Sequence, residues 1–254
     1  MTISVIARNT FKEAVRDRVL YLLLFFSALS IVLARVLAVL TVGDRVKVVK
    51  DVGLASIAFF GALMAILIGT GLVYKEIEKR TIFTLISKPI RRAEFLLGKF
   101  LGLVLTLAVM VAAMTLIYLA VVFLHTFKIE GRMALAVFFI FLELILLTAV
   151  AVLFSCFSTP ILSSLFALSF YLIGHFSWSL ETLIKKTPPG TRRTLLRAVY
   201  TILPDLENFN IKTEVVQNLP LPAGLWLGAL GYSAVYTAFV LLLAVWIFRR
   251  RDFI

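Results

Sequence analysis

Residues 133–157 read MALAVFFIFLELILLTAVAVLFSCF, and Glu143 is the one charged side chain among these 25 residues. A helix of this length extends about 37 Å, enough to cross the roughly 30 Å hydrocarbon core of a bilayer. In lipid, backbone N–H and C=O groups must be satisfied within their own segment, so a stretch of this kind is helical. Residues 133–157 therefore predict a membrane-spanning helix.

Five further apolar runs of similar length predict an all-α membrane protein with six transmembrane helices. The chain has 254 residues, of which 61% are hydrophobic and 16% charged, with a mean hydropathy of +1.03. A soluble domain contains about half apolar and a quarter charged residues. We interpret residues 1–254 as a single transmembrane domain, and the five further runs lie at 19–42, 54–74, 98–124, 161–178 and 224–248.

The distribution of Lys and Arg predicts that both termini are cytoplasmic. Fourteen of the 26 basic residues fall in the N-terminal stretch, the segment between spans two and three, and the C-terminal tail. Six others lie in the long connection 179–223, and long loops have little influence on orientation. Since basic residues also collect beside anionic lipid headgroups, the net charge of +12 indicates membrane lipids as partners and no nucleic acid.

Residues 1–18 have the pattern of an amphipathic helix. At 100° per residue its polar face carries Arg8, Lys12, Glu13 and Arg16. We expect a helix that lies in the membrane interface before the first span, although a solvated cytoplasmic arm is an alternative. The apolar face consists of Ile3, Ile6, Ala7, Phe11, Ala14 and Val15.

Two connections between spans have opposite characters. Spans four and five are joined by a tight turn at Pro160, which predicts an antiparallel helical hairpin. The connection 179–223, predicted to be external, contains a helix at 191–203 between Pro189 and Pro204. Its apolar stripe requires a cover, so we interpret it as an interfacial or re-entrant helix, with a solvated loop as the alternative.

Three ionisable residues fall within the predicted spans: Arg35, Glu143 and His175. His175 lies near the outer end of span five beside aromatic residues, as expected for an interfacial histidine. Glu143 is near the middle of span four, where a lone charge is costly. Glu143 and Arg35, its possible partner at an adjacent depth, form the candidate intramembrane polar site. A helix–helix contact and a cargo pathway both remain open as the role of Glu143.

The segment 75–97 between spans two and three carries the densest charge. Its first part, KEIEKRTIFTLISKP at 75–89, predicts a short cytosolic helix that begins after Thr81 and ends before Pro89. Ile82, Leu85 and Ile86 fall on one face of this helix. An apolar ridge with charged flanks suits a groove on another protein, whereas a basic loop that only sets topology is the alternative.

The chain shows no signature of an enzyme. It contains no GxxxxGKS/T, HExxH or GxSxG motif, and two histidines with one cysteine, Cys156, do not make a multi-residue metal site. No source of energy for transport is visible in the residues. A set of spans with a charged helical loop therefore suggests a subunit that is driven from outside.

The segment 75–97 and its layout resemble the ABC-2 type transporter permeases, the membrane subunits of ABC exporters. The resemblance covers the whole chain, from the N-terminal helix through six spans to the long fifth-to-sixth connection. One departure is Arg80, where many members have glycine, and arginine favours a helix there. The matching residues are Glu76, Glu78, Thr81, Leu85, Ile86, Pro89, Arg91, Arg92, Glu94, Leu97, Gly98 and Lys99.

The resemblance implies a permease that pairs with a second copy of itself and with two separate ABC ATPase subunits in a plasma membrane. The partner ATPase would bind ATP and Mg²⁺, and this chain would hold no cofactor or metal and have no catalytic residue. An ATP-independent scaffold or channel-like subunit is the alternative, and the residues do not indicate the cargo. The residues implied to dock in an ATPase groove are Glu76, Glu78, Arg80, Thr81, Ile82, Leu85, Ile86 and Pro89.

Overall fold

A computed structural model describes residues 2–41, 43–78, 91–127, 130–176, 182–184, 186–188, 190–202, 204–221 and 224–250. Within these ranges, the side chains of residues 2, 72–78, 195 and 198–202 are outside the description. The described part is helical and contains no strand. The helices are α1 Thr2–Val15, α2 Arg18–Leu40, α3 Arg45–Glu78, α4 Arg92–Thr126, α5 Gly131–Ser155, α6 Pro160–His175, α7 Thr191–Ile202, α8 Lys212–Val216 and α9 Leu225–Arg250, with a 3₁₀ turn at Leu206–Phe209.

Five helices of the described chain are long and apolar enough to cross a membrane: α2, α3, α4, α5 and α9. The sequence predicted a sixth span at 161–178, but α6 ends at His175 and has 16 residues. Such a helix extends about 24 Å, which is less than the roughly 30 Å of the hydrocarbon core. The described part of the chain therefore contains five full-length helices and one shorter apolar helix, which supports a multi-pass helical protein.

The predicted hairpin between the fourth and fifth apolar runs is present. Helix α5 ends at Ser155, and α6 begins at Pro160 as its first helical residue. Proline is suited to that position, because the first N–H groups of a helix have no intrahelical partner. The two helices then pack against each other.

Helix α3 begins nine residues before the apolar run that predicted it. The Asp44 carboxylate accepts hydrogen bonds from the backbone N–H of Val46 at 3.1 Å and of Lys47 at 3.4 Å, which starts the helix. Lys50, in the second turn, is buried and its Nζ lies 2.8 Å from Glu130 Oε1. The first turns of α3 contain charged residues and so did not appear as part of the apolar run. These turns nevertheless extend the helix beyond its apolar part.

Helix α5 forms the centre of the bundle and packs against α3, α4, α6 and α9. Two glycines on α3 permit a close approach, since a Cβ at Gly61 would meet Leu144 and one at Gly69 would meet Ala151 Cβ at 2.8 Å. Small residues at such contacts allow helices to associate closely in lipid, where dispersion contacts take the place of the hydrophobic effect. The central position of α5 places Glu143 among protein side chains.

Candidate functional site

Most of the predicted docking residues lie outside the described part of the chain. Glu76 and Glu78 belong to the last turns of α3, but their side chains are not described, and Arg80 to Pro89 fall in the gap between α3 and α4. The docking role of these residues therefore stays a prediction. The structure does show how α4, which follows this segment, is attached to the rest of the protein.

The start of α4 is bonded to the end of α9. One guanidinium nitrogen of Arg92, Nη1, donates hydrogen bonds to the carbonyl oxygens of Phe248 at 3.3 Å and Arg249 at 3.0 Å. The last carbonyls of a helix have no intrahelical donor, so a basic side chain stabilises them. The rings of Phe95 and Phe248 stack with their centroids 6.1 Å apart. Helix α4 is thus joined to α9 within its first turn.

Helix α1 crosses the beginning of α4 at two glycines. A Cβ at Gly98 would lie 2.7 Å from Ile6 Cβ, and a Cβ at Gly102 would lie 2.6 Å from both the Ala7 carbonyl oxygen and Thr10 Cβ. No side chain larger than hydrogen fits between these backbones. Since α1 is the element against which α4 packs most extensively, this crossing is a principal contact of the fold.

The predicted faces of α1 agree with the structure. The side chains of the predicted apolar face are buried or half-buried, whereas Arg8, Lys12 and the apolar Val5, which lies off that face, are exposed. The sequence assigned this apolar face to the membrane interface, and the structure packs it against α4. The partner was missed because the GxxxG spacing of Gly98 and Gly102 indicates a close contact without identifying the second helix.

Lys99, which the resemblance highlighted, has a structural role inside the chain. Its side chain is 3% exposed, and its Nζ lies 3.5 Å from Glu13 Oε2 on α1. The ammonium group also lies 6.0 Å from the centre of the Phe95 ring. A buried lysine requires an anionic partner. The Leu-Gly-Lys part of the motif, residues 97–99, therefore secures α1 to α4 through Gly98 and Lys99.

Glu143 pairs with His175. The carboxylate oxygen Oε1 of Glu143 lies 2.8 Å from His175 Nε2, and Glu143 is 2% exposed. The other imidazole nitrogen, Nδ1, lies 3.5 Å from Glu207 Oε2 on the 3₁₀ turn. The Tyr171 ring meets the imidazole edge-on at a centroid distance of 4.7 Å. One histidine thus links α5, α6 and the connection that leads to α9.

The 3₁₀ turn is held beside the end of α6 by several contacts. A Cβ at Gly174 would lie 2.6 Å from the Leu206 side chain, so the glycine permits this approach. Tyr232 Oη on α9 accepts a hydrogen bond of 2.9 Å from the Asp205 backbone N–H. Asn210 Nδ2 donates to Glu207 Oε1 at 2.8 Å and orients that carboxylate. The connection after α7 therefore packs into the bundle, against α5 and α6.

This arrangement corrects two sequence-based interpretations. His175 was interpreted as an interfacial residue, but α6 ends at His175 and the imidazole bonds to Glu143. Arg35 was considered as a partner of Glu143, but Arg35 lies on the exposed face of α2. Measured from the turn that joins the two helices, His175 lies about 22 Å along α6 and Glu143 about 18 Å back along α5. The antiparallel packing therefore brings the two side chains to similar depth.

The Glu143–His175 pair places a carboxyl group and an imidazole within hydrogen-bonding distance inside the bundle. A buried carboxylate is tolerated when a hydrogen-bonded partner compensates its charge. Among the described residues, no group of three or more His, Cys, Asp or Glu side chains is arranged to hold a metal ion. The contact with His175 favours the helix–helix interpretation of Glu143 over the cargo pathway.

We expect Glu143→Gln to keep nearly the parental free energy of unfolding and Glu143→Leu to lower it by about 1–3 kcal/mol. Glutamine can still accept a hydrogen bond from His175, whereas leucine leaves the imidazole nitrogen without this partner. Denaturation of the purified protein in detergent measures the difference. Glu207→Gln is the matched control, because its contact is longer, at 3.5 Å, and partly exposed. A leucine variant as stable and as active as the parent would contradict a polar role.

The chain matches the family model described as ABC-2 family transporter protein over residues 4–253. No curated protein matches it at a significant level of similarity.

Proposed function

Because the chain belongs to the ABC-2 family of transporter proteins, we propose that it is the permease subunit of an ATP-driven exporter. The family and the apolar helices make it a multi-pass membrane component of a transport system. Beyond this general role, the proposal is that the chain forms a translocation pathway and that a separate ATPase drives transport. Family membership over nearly the whole chain is the observation that carries this proposal.

The attachments of α4 support a route for mechanical coupling. The segment 75–97 leads directly into α4, whose first three turns contact both α1 and α9. A force on the segment would act on Arg92, bonded to the end of α9, and on Gly98 and Gly102, packed against α1. ATPase closure would then move α1, α4 and α9 together.

The proposed assembly contains two copies of this permease and two ATPase subunits. ATP and Mg²⁺ would bind to the ATPase, which supplies the free energy of hydrolysis. The proposed docking surface on this chain is the ridge Ile82, Leu85 and Ile86. The flanking docking residues are Glu76, Glu78, Arg80, Thr81 and Pro89. The proposed location is the plasma membrane of a bacterium or archaeon, with the segment 75–97 on the cytoplasmic side.

Co-expression with a candidate ABC ATPase from the same organism tests the proposal. We expect the two proteins to purify together and the ATPase to hydrolyse ATP faster in the complex than alone. The complex in detergent should have the mass of two permeases and two ATPases. An ATPase that neither binds the permease nor changes its turnover in its presence would overturn the exporter assignment.

The proposed topology has its own test. We expect Lys88, Arg250 and the N-terminus on the cytoplasmic side and the connection 179–223 outside. In a Cys156→Ser background, a membrane-impermeant maleimide applied to sealed cells should label Lys186→Cys and leave Lys88→Cys unlabelled. Permeabilised cells provide the control, since both positions should then react. Labelling of Lys88→Cys in sealed cells would contradict this orientation.

A further inference from the structure

An apolar groove with a cationic end lies between the start of α4 and the second half of α9. Its volume is about 620 Å³, within the roughly 300–1,000 Å³ of typical ligand pockets. Leu97 on α4 and Leu242 and Trp246 on α9 form part of its wall, and Arg249 lines one end. Leu242 is 69% exposed and Trp246 52% exposed, so the groove opens to the surface of the bundle.

The length of the groove corresponds to one leaflet of a bilayer. Its wall on α9 extends from Ala238 to Arg249, a stretch of twelve residues that rises about 16 Å along the helix. Half of the roughly 30 Å hydrocarbon core is about 15 Å. An acyl chain that begins at the level of Arg249 would therefore reach Ala238 near the middle of the membrane.

The charge at the Arg249 end is suited to an anionic headgroup. The Arg250 guanidinium stacks 4.1 Å from the centre of the Trp246 ring, which holds a second cation at this level. Tryptophan is enriched at the depth where the hydrocarbon core meets the headgroups. None of the described residues that line the groove is acidic, and Glu94, next to Ala93 on α4, is not among them.

We propose that this groove binds an acyl chain of an anionic phospholipid, whose phosphate lies against Arg249. The alternative occupant, a second copy of this chain related by two-fold symmetry, would place the same surface of both copies face to face. Arg249 and Arg250 of one copy would then meet those of the other, at a cost in free energy. A phosphate neutralises these arginines, and its acyl chain covers Leu242 and Trp246. The proposal requires only membrane insertion and is independent of ATPase coupling.

A second groove provides an internal comparison. It lies between α4 and α5, has a volume of about 440 Å³, and is lined by Ala112, Leu116 and Phe138 among other uncharged residues. Leu116 is 70% exposed, so lipid can reach this groove as well. Since none of the described residues that line it is charged, it should accept acyl chains with no preference for the headgroup.

Quenching of Trp246 fluorescence by brominated lipids tests the proposal. The protein, with Trp178→Phe and Trp226→Phe, is reconstituted with brominated phosphatidylglycerol or brominated phosphatidylcholine at equal mole fraction. We expect stronger quenching by phosphatidylglycerol. Arg249→Gln should reduce the relative binding constant for phosphatidylglycerol about fivefold, the factor that one arginine near anionic headgroups contributes. Arg249→Lys should retain most of the preference, since the charge remains.

Two matched variants distinguish binding of the lipid in this groove from a general attraction of anionic headgroups to the arginines. Ala238→Phe places a phenyl ring in the midplane end of the groove and leaves Arg249 in place, so the preference should fall. With Ala112→Trp as the sole tryptophan, fluorescence reports on the second groove, and quenching by the two lipids should be equal. A preference that persists in Ala238→Phe, equal quenching of Trp246 by both lipids, or a Trp246 that neither lipid quenches would each overturn the proposal. The last result would indicate that protein covers the groove.

Discussion

Replacing Leu85 with aspartate is expected to weaken binding of the ATPase subunit tenfold to several hundredfold. Leu85 lies at the centre of the predicted ridge Ile82, Leu85 and Ile86. The sequence predicts this ridge to be outside the membrane, where an apolar surface requires a partner. The substitution removes about 1.5–3 kcal/mol of apolar burial and adds the cost of desolvating a carboxylate. Each 1.4 kcal/mol corresponds to about a factor of ten in affinity.

Co-purification with the ATPase, followed by permease-dependent ATP turnover, measures the effect. Lys79→Ala is the matched control in the same segment, since an exposed charge at the edge of a contact contributes about 1 kcal/mol or less. Membrane insertion should be unchanged, because no apolar span is altered. If Leu85→Asp retains parental co-purification and turnover, the ridge is not the docking surface and the segment only determines topology.

Gly102→Ala is expected to destabilise the protein by about 1–3 kcal/mol and to detach α1 from α4, because the crossing has no room for a methyl group. The added Cβ would lie 2.6 Å from the carbonyl oxygen of Ala7, a backbone atom that cannot move aside as a side chain can. Helix α1 has 14 residues, a length at which an isolated helix is marginal in water. Loss of the contact with α4 should therefore loosen α1 as a whole.

Gly228→Ala is the control, since a Cβ at that position would have no atom within 4 Å. Alanine there should leave stability unchanged or raise it by up to about 1 kcal/mol through its higher helix propensity. Maleimide labelling of Thr10→Cys in a Cys156→Ser background reports on α1 directly, because Thr10 is 1% exposed in the docked helix. Equal labelling with glycine or alanine at position 102 would show that the crossing tolerates a methyl group.

The spans could be predicted from the sequence because their cause is local. An apolar run in lipid must form a helix to satisfy its own backbone, whatever its neighbours are. The same local reasoning gave the faces of α1, the break at Pro160 and the helix at Thr191–Ile202. The segment 75–97 could be recognised by its resemblance to a family, and its central part, residues 79–90, lies outside the described residues.

The pairing of buried polar groups could not be predicted in this way. His175 was counted as interfacial because it lies near the outer end of the fifth apolar run beside aromatic residues, and nothing within its own segment indicated Glu143 as a partner. Only the antiparallel packing of α6 on α5 brings that end beside Glu143. Lys50 was likewise placed outside the spans, and the structure buries it against Glu130 within an extended α3.

The sequence by itself determined that this is a helical membrane protein, because apolar length and backbone satisfaction act within each segment, and its motif residues showed the resemblance to the ABC-2 family. The tertiary structure decided which segments meet. Helix α1 packs against Gly98 and Gly102, Arg92 donates a hydrogen bond to a carbonyl oxygen near the end of α9, and Glu143 pairs with His175. Residues distant in the chain create these contacts, and lipid is as apolar as the helices themselves. The choice of partner therefore depends on close packing and buried polar bonds, which exist only in the folded bundle.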